Sequence, residues 1–252
     1  MSQTPIPYLF MRGGTSRGPY FNRADLPQDT DQLAKVLVSA LGSGHPLNID
    51  GIGGGNAVTT KVAMLSKSTD PWADIDYFFA QVSVEDGLVD FKPTCGNLLS
   101  GVASAAIEMG LYPASKGETS LRIRAVNTGA EILAKVQTPN GLISYAGEAV
   151  IDGVPGSAAP VELNFMKVAG SSTGTFLPTG NVTDKIDGMN VTCMDVAMPI
   201  VPGAPAADLP HDLPVLCKTV EEGLCYGEVE WALTKGLPEH PEWYPGLSPA
   251  AT

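Results

Sequence analysis

Apolar residues along the first four fifths of the chain recur in short alternating runs, broken by one stretch of helical period and one stretch of small residues. Tyr8-Leu9-Phe10-Met11 reads as a buried strand, and Thr59 to Leu65 ends in a second apolar strand with Lys61 at its mouth. Leu33, Val36, Leu37, Ala40 and Leu41 follow the 3.6-residue period, which predicts a helix capped by Thr30 or Asp31 and stopped by Gly42. Ile75 to Val84 and Gly87 to Phe91 read as paired strands. Leu98 to Met109 is filled with Ser, Gly and Ala, which predicts a central helix that strands can approach closely on every side, ended by Gly110. Residues 118 to 165 alternate as a strand meander, with Pro139-Asn140-Gly141 as a hairpin turn, and Met189 to Val201 reads as one more strand. The expected class is α+β.

Composition adds a large core: 44% of the 252 residues are hydrophobic and 17% charged. The expected organisation is a first domain over 1–185, with its central helix near 97–110, and then 186–252, the start of a second domain followed by an atypical proline-rich tail from 202. No apolar run approaches the ~18 residues of a membrane span, and Met1-Ser2-Gln3-Thr4-Pro5 lacks the pattern of a signal peptide, so a cytoplasmic protein without membrane partners is expected. The formal charge of −12 argues against a nucleic-acid partner and repels anions at long range, so any acid-binding site must be locally positive. Cys95, Cys193, Cys217 and Cys225 form no C-x-x-C pair, and His45, His211 and His240 have no ligand spacing. Neither a disulfide framework nor a metal site is expected.

Three stretches carry candidate chemistry. Arg12-Gly13-Gly14-Thr15-Ser16-Arg17 is either an ordinary tight turn with solvated arginines or a nest of amides and hydroxyls for a carboxylate. It lacks the Lys-Ser/Thr ending of a phosphate loop and the G-x-G-x-x-G of a dinucleotide site. Asp50-Gly51-Ile52-Gly53-Gly54-Gly55 lets the backbone approach something closely. Lys61 beyond it is either a snorkelling surface residue or a base in a desolvating pocket; with an ordinary pKa of ~10.4, a lysine needs burial or a cationic neighbour for the second role. Cys95-Gly96-Asn97 at a helix start is either an inert buried cysteine or a thiol whose thiolate the helix end favours, beside amides that accept a carboxylate.

Taken in order, Met11-Arg12-Gly13-Gly14-Thr15-Ser16, Asp50-Gly51-Ile52-Gly53-Gly54, Thr60-Lys61-Val62-Ala63, Cys95-Gly96-Asn97, Val126-Asn127-Thr128-Gly129, Ile151-Asp152-Gly153-Val154-Pro155-Gly156 and Leu177-Pro178-Thr179-Gly180-Asn181 resemble a family. It is that of the bacterial 4-oxalomesaconate tautomerases and 2-methylaconitate cis-trans isomerases, a branch of the diaminopimelate-epimerase-like fold. Gln137-Thr138-Pro139, Tyr145-Ala146-Gly147 and Val191-Thr192-Cys193 look closer to the tautomerases. The resemblance implies two similar domains, each with strands rolled around a central helix, and an active site in the cleft between them. It implies an isomerase catalysing a 1,3-proton shift on a small polycarboxylate, with 4-oxalomesaconate of gallate-type aromatic degradation as substrate and no cofactor. A 2-methylaconitate or aconitate cis-trans isomerase is the alternative within the family. By the same resemblance Lys61 and Cys95 are catalytic, Lys61 being favoured as proton carrier. Arg12, Gly13, Gly14, Thr15, Ser16, Arg17, Gly54, Gly96 and Asn97 would hold the substrate.

Two departures qualify that expectation. Arg17 stands where the family has lysine, and a guanidinium fork coordinates differently from an ammonium. Residues 202–252 do not resemble the family's second domain, so a non-catalytic remnant that binds a carboxylate or a partner chain is a rival reading. An uncovered interdomain face would then be partly covered by the tail, be met by a homo-oligomer, or lead to aggregation.

Overall fold

The computed structural model describes residues 4–151, 155–170, 173–186, 188–196 and 198–201. The tail expected from 202 lies outside them. The chain divides into two compact units, Met1–Phe165 and Met166–Thr252.

The first unit is built on one mixed sheet. Its strands are β1 (Leu9–Gly13), β2 (Ser16–Asn22), β3 (Lys61–Lys67), β4 (Ile75–Val82), β5 (Val89–Asp90), β6 (Gly117–Ala125), β7 (Ala130–Thr138) and β8 (Val161–Phe165). They run in the order β1-β2-β3-β4-β6-β7-β8, with β5 also on β4. The pairs β2–β3 and β4–β6 are parallel and the others antiparallel.

Alternation along the strands separates two cores. Tyr20, Ala63, Leu65, Tyr77, Phe79, Ile123 and Ala134 point inward onto the small-residue helix, where Val102, Ala103, Ala105 and Ala106 are fully buried. Phe21, Val62, Met64, Ala80 and Val82 point the other way. They pack on α1 (Thr30–Leu41), whose Leu33, Leu37 and Leu41 recur every fourth residue and are fully buried. Each such leucine stabilises the fold by roughly 1.5–3 kcal/mol. Beyond β4 the outer face opens to solvent, and β6 and β7 place Arg122, Arg124 and Lys135 there, paired with Asp74, Asp76 and Asp70, and with Glu118 and Glu162.

Several expectations change in detail. Helix α1 is capped by Asp29, whose carboxylate accepts the Gln32 amide, one residue before the expected caps; Gly42 ends it with φ 72°. Phe10 in β1 and Tyr8 just before it are each 44% exposed, where a buried strand was expected, since β1 is an edge strand with one open face. The central helix is two pieces, α2 (Gly96–Leu99) and α3 (Val102–Glu108). The break at Ser100–Gly101 lies against Tyr20: its hydroxyl donates to the Leu98 carbonyl at 2.6 Å, and a Cβ on Gly101 would collide with that hydroxyl. The meander over 118–165 is present as β6-β7-β8, but its tight hairpin is at Val126–Gly129. Pro139-Asn140-Gly141 instead turns the chain so that Ser144 donates back to Gln137, and β8 begins only at Val161.

In the second unit, the single strand expected over 189–201 is three. β9 (Asp184–Ile186) pairs with β10 (Met189–Val191), and β11 (Met194–Val196) pairs with β12 (Met198–Ile200). Between them Thr192 donates to the Val182 carbonyl, and within β11 the buried Asp195 accepts the amide and hydroxyl of Thr173.

Candidate active site

The β1–β2 hairpin is the element on which the expected site residues converge. It closes in a two-residue turn, Gly14-Thr15, with φ 53° at Gly14, the position at which primed hairpin turns favour glycine. A Cβ on Gly13 would collide with the Asn97 carbonyl, and one on Gly14 with the Asn97 Oδ1. The turn is thus seated on the start of α2, where the Thr15 amide donates to Asn97 Oδ1 at 3.4 Å. Further along the hairpin, Gly18 lies so close to the Lys61 carbonyl that no side chain fits between them.

Cys95 is the N-cap of α2, and its Sγ accepts the Leu98 amide at 3.4 Å. Two buried tyrosines fix the backbone around it. Tyr77 donates to the Cys95 carbonyl at 3.2 Å, and Tyr20 to the Leu98 carbonyl. Burial, with Cys95 as a lesser contributor, pushes both phenols well above their ordinary range, so they remain neutral donors. The helix-end argument for the thiol is weaker than expected, because α2 has only four residues and aligns few peptide dipoles. What reaches the sulfur is one N–H.

Lys61 opens β3 directly opposite Gln81 of β4. Its ammonium donates to Gln81 Oε1 at 2.7 Å and lies 5.3 Å from the centre of the Phe79 ring, both contacts suited to a cation. Gln81 is oriented by its other end, since Nε2 faces the Ala57 carbonyl, the Thr60 hydroxyl and the Val82 carbonyl, leaving its oxygen for Lys61. By alternation Lys61 shares the inner face with Ala63 and Leu65, the face that packs against Cys95 and the central helix.

The nine residues expected to hold the substrate fall into two groups. Gly13, Gly14, Thr15, Ser16, Gly96 and Asn97 gather at the turn and the start of α2, with Ser16 on the inner face and its buried hydroxyl without a hydrogen-bond partner. Arg12 and Arg17 alternate to the outer face, where Arg17 lies against Phe10 and Gly54.

Two asparagines that sequence reasoning did not single out as site residues hold these pieces in place. Asn127 takes the Phe79 amide on Oδ1 at 2.9 Å and donates to the Phe79 and Phe91 carbonyls, tying the ring under Lys61 to the segment that leads into Cys95. Asn48, buried with φ 49°, donates to the carbonyls of Gly42, His45 and Val84 and accepts the Gly55 amide, which holds the glycine loop around Gly54. Asn127 lies within the quoted Val126-Asn127-Thr128-Gly129 motif, so a signal was present; Asn48 carried none beyond an asparagine in a loop.

A cavity of about 250 Å³ is lined by Pro7, Tyr8, Leu9, Asn22, Asp25 and Met109, and another of about 170 Å³ lies over Ser100, Gly101 and Ser104 of the central helix. Neither is lined by Lys61 or Cys95. Among the described residues, no group of three or more His, Cys, Asp or Glu is placed to hold a metal ion, and no helix is long and apolar enough to cross a membrane.

Residues 3–209 match the family described as PrpF protein. YbhH of Escherichia coli is 56% identical over 196 residues, which are 78% of this chain and 56% of that protein. The 4-oxalomesaconate tautomerase of Pseudomonas putida is 48% identical over 201 residues, 80% of this chain and 56% of the tautomerase. Among solved structures, a methylitaconate-delta-isomerase matches with a TM-score of 0.74 at 40% identity, over 78% of this chain and 52% of that one. The chain spans about 56% of the length of these curated relatives. Strands rolled around a central helix, as the resemblance implied, make the fold α+β and diaminopimelate-epimerase-like. With the family match running across most of its length, the chain belongs to the PrpF family.

Proposed function

We propose that this chain carries the lysine and cysteine of an isomerase that moves a proton between carbons of a small unsaturated polycarboxylate, with 4-oxalomesaconate as the substrate. The observation that carries this reading is the placement of Lys61 on the inner face of the sheet, the face that packs against Cys95 at the start of α2, beside a glycine turn seated on Asn97. In the proposed reaction a base removes the proton from carbon next to a carbonyl, the electron pair moves into a dienolate, and the proton returns at the far carbon. Lys61, oriented by Gln81 and Phe79, is the proton carrier, and Cys95 is its partner at the substrate. The amides of Gly96 and Asn97 and the Gly13–Ser16 turn absorb carboxylate charge.

The named tautomerase at 48% identity favours 4-oxalomesaconate. A methyl-substituted acid is the second reading, favoured by the match to methylitaconate isomerase. Lys61→Ala and Cys95→Ala, assayed separately by ultraviolet absorbance for keto/enol conversion, are each expected to lose most of the rate. Near-normal rates in both would show that the assignment is wrong. Calorimetric binding of a tricarboxylate without turnover of either acid would instead favour the non-catalytic reading.

A further inference from the structure

Arg17 is the residue whose surroundings the proposed reaction leaves unexplained. Its side chain leaves the outer face of β2, opposite to Ser16 and Gly18, and lies 5.8 Å from the centre of the half-exposed Phe10 ring. Its Nε is buried and has no hydrogen-bond partner, and Arg17 makes no ion pair among the described residues. The glycine loop is shaped around it. A Cβ on Gly54 would stand 2.6 Å from an Arg17 Nη and 2.7 Å from the Thr59 hydroxyl, so a methyl there would force the guanidinium out of its present position. Asn48 anchors that loop at Gly55, and Thr59 is held by its bonds to Asn56, so the seat is built on fixed backbone.

Arg12 stands directly opposite Arg17 in the β1–β2 register, and among the described residues its guanidinium makes only a long contact, to the Thr15 carbonyl. Like charges set face to face across two strands are unfavourable unless an anion lies between them. In a chain of net charge −12, two opposed arginines on an edge hairpin, with no acid among the described residues pairing either one, form a locally positive spot. A planar carboxylate matches the guanidinium fork in two parallel hydrogen bonds.

We propose that Arg17, with Arg12 across the strand pair and Gly54 shaping the seat, binds a carboxylate of a free small polycarboxylic acid on the face opposite to Lys61 and Cys95. The site is separate from the proposed reaction centre and does not depend on that reading. The bound acid bridges the two arginines and relieves their repulsion, so occupancy stiffens the β1–β2 hairpin that also seats the turn on Asn97.

The test is calorimetric titration of the full chain with tricarballylate, a saturated tricarboxylate, and in parallel with inorganic phosphate. In a Lys61→Met background binding of tricarballylate is expected to persist, and adding Arg17→Gln is expected to weaken it at least tenfold, with partial recovery in Arg17→Lys. Gly54→Ala, whose methyl displaces the fork without touching its charge, is expected to weaken it similarly and serves if Arg17→Gln does not fold. Loss of all binding in Lys61→Met alone, or affinity unchanged within twofold by Arg17→Gln, would overturn the proposal. So would phosphate binding as tight as tricarballylate, which would mean a general anion spot. Turnover by the wild-type chain is read separately. Its absence beside Arg17-dependent binding leaves this site standing, and its presence without such binding overturns this site alone.

Discussion

Single residues set the geometry of the candidate site, and Gln81 shows how. At one end its Nε2 has four acceptors within reach, the Ala57, Thr60 and Val82 carbonyls and the Thr60 hydroxyl, so its oxygen at the other end fixes where the Lys61 ammonium can sit. Gln81→Leu removes that guide and keeps the volume. If Lys61 carries the proton, misplacing its amine by about 1 Å lowers turnover by about 10- to 100-fold. The thermal midpoint should change far less than the rate. Steady-state kinetics beside a melting curve decide the matter, and an unaltered rate would detach Gln81 from the chemistry. Tyr20 and Tyr77 act on the backbone instead: both phenols are neutral, and each satisfies a carbonyl at the start of the central helix.

At the scale of elements, the sheet is reinforced at its short parallel β4–β6 pairing, where three residue pairs are in register. Asp74 extends the β4–β6 ladder past Ile75: its amide donates to the Arg122 carbonyl, and its carboxylate takes the Arg122 amide, Nε and an Nη. The Arg122 side-chain bond, ahead of the other causes, holds the Asp74 carboxyl below its usual 3.8. A carboxyl depressed by folding stabilises the native state above its unfolded value, and that contribution is lost as pH falls through the lower folded value. Arg122 is 44% exposed, so solvent screening keeps the effect small. Between pH 4 and 2, Asp74→Asn is therefore expected to flatten the fall of the thermal midpoint relative to wild type. Parallel curves would mean that this pair contributes nothing.

The same scale shows what was legible beforehand. Helix α1 was, because Leu33, Leu37 and Leu41 repeat at its period and Gly42 supplies the left-handed stop. The alternation of β6 and β7 was as well. The break in the central helix was not, since Gly101 among alanines and serines reads as room for packing and only the Tyr20 hydroxyl, 81 residues away in sequence, shows why it interrupts the helix. The ladder-bridging role of Asn127 was hidden for a like reason: in a Val-Asn-Thr-Gly turn, asparagine reads as a turn former, and its partners Phe79 and Phe91 are 48 and 36 positions away. Grouping Arg12 and Arg17 with Ser16 as one loop missed that β2 is already a strand there, so neighbours in sequence face opposite sides.

For the whole molecule, the net charge of −12 opposes the approach of a polycarboxylate, and the local cations Lys61, Arg12 and Arg17 have to offset it. The curated relatives are nearly twice as long as the matched segment, so the reaction belongs to the proposal and has to be measured on this chain itself. The central claim is that a proton is moved by Lys61 and Cys95, and the most direct measurement is isotope exchange. The full chain is mixed with 4-oxalomesaconate in deuterium oxide, and the substrate carbons are followed by proton magnetic resonance. Exchange at the two carbons of the shift, faster than the spontaneous rate and reduced to it in Lys61→Ala and Cys95→Ala, is the predicted result. Exchange no faster than the spontaneous rate in the wild-type chain, or equally fast in both variants, would contradict it.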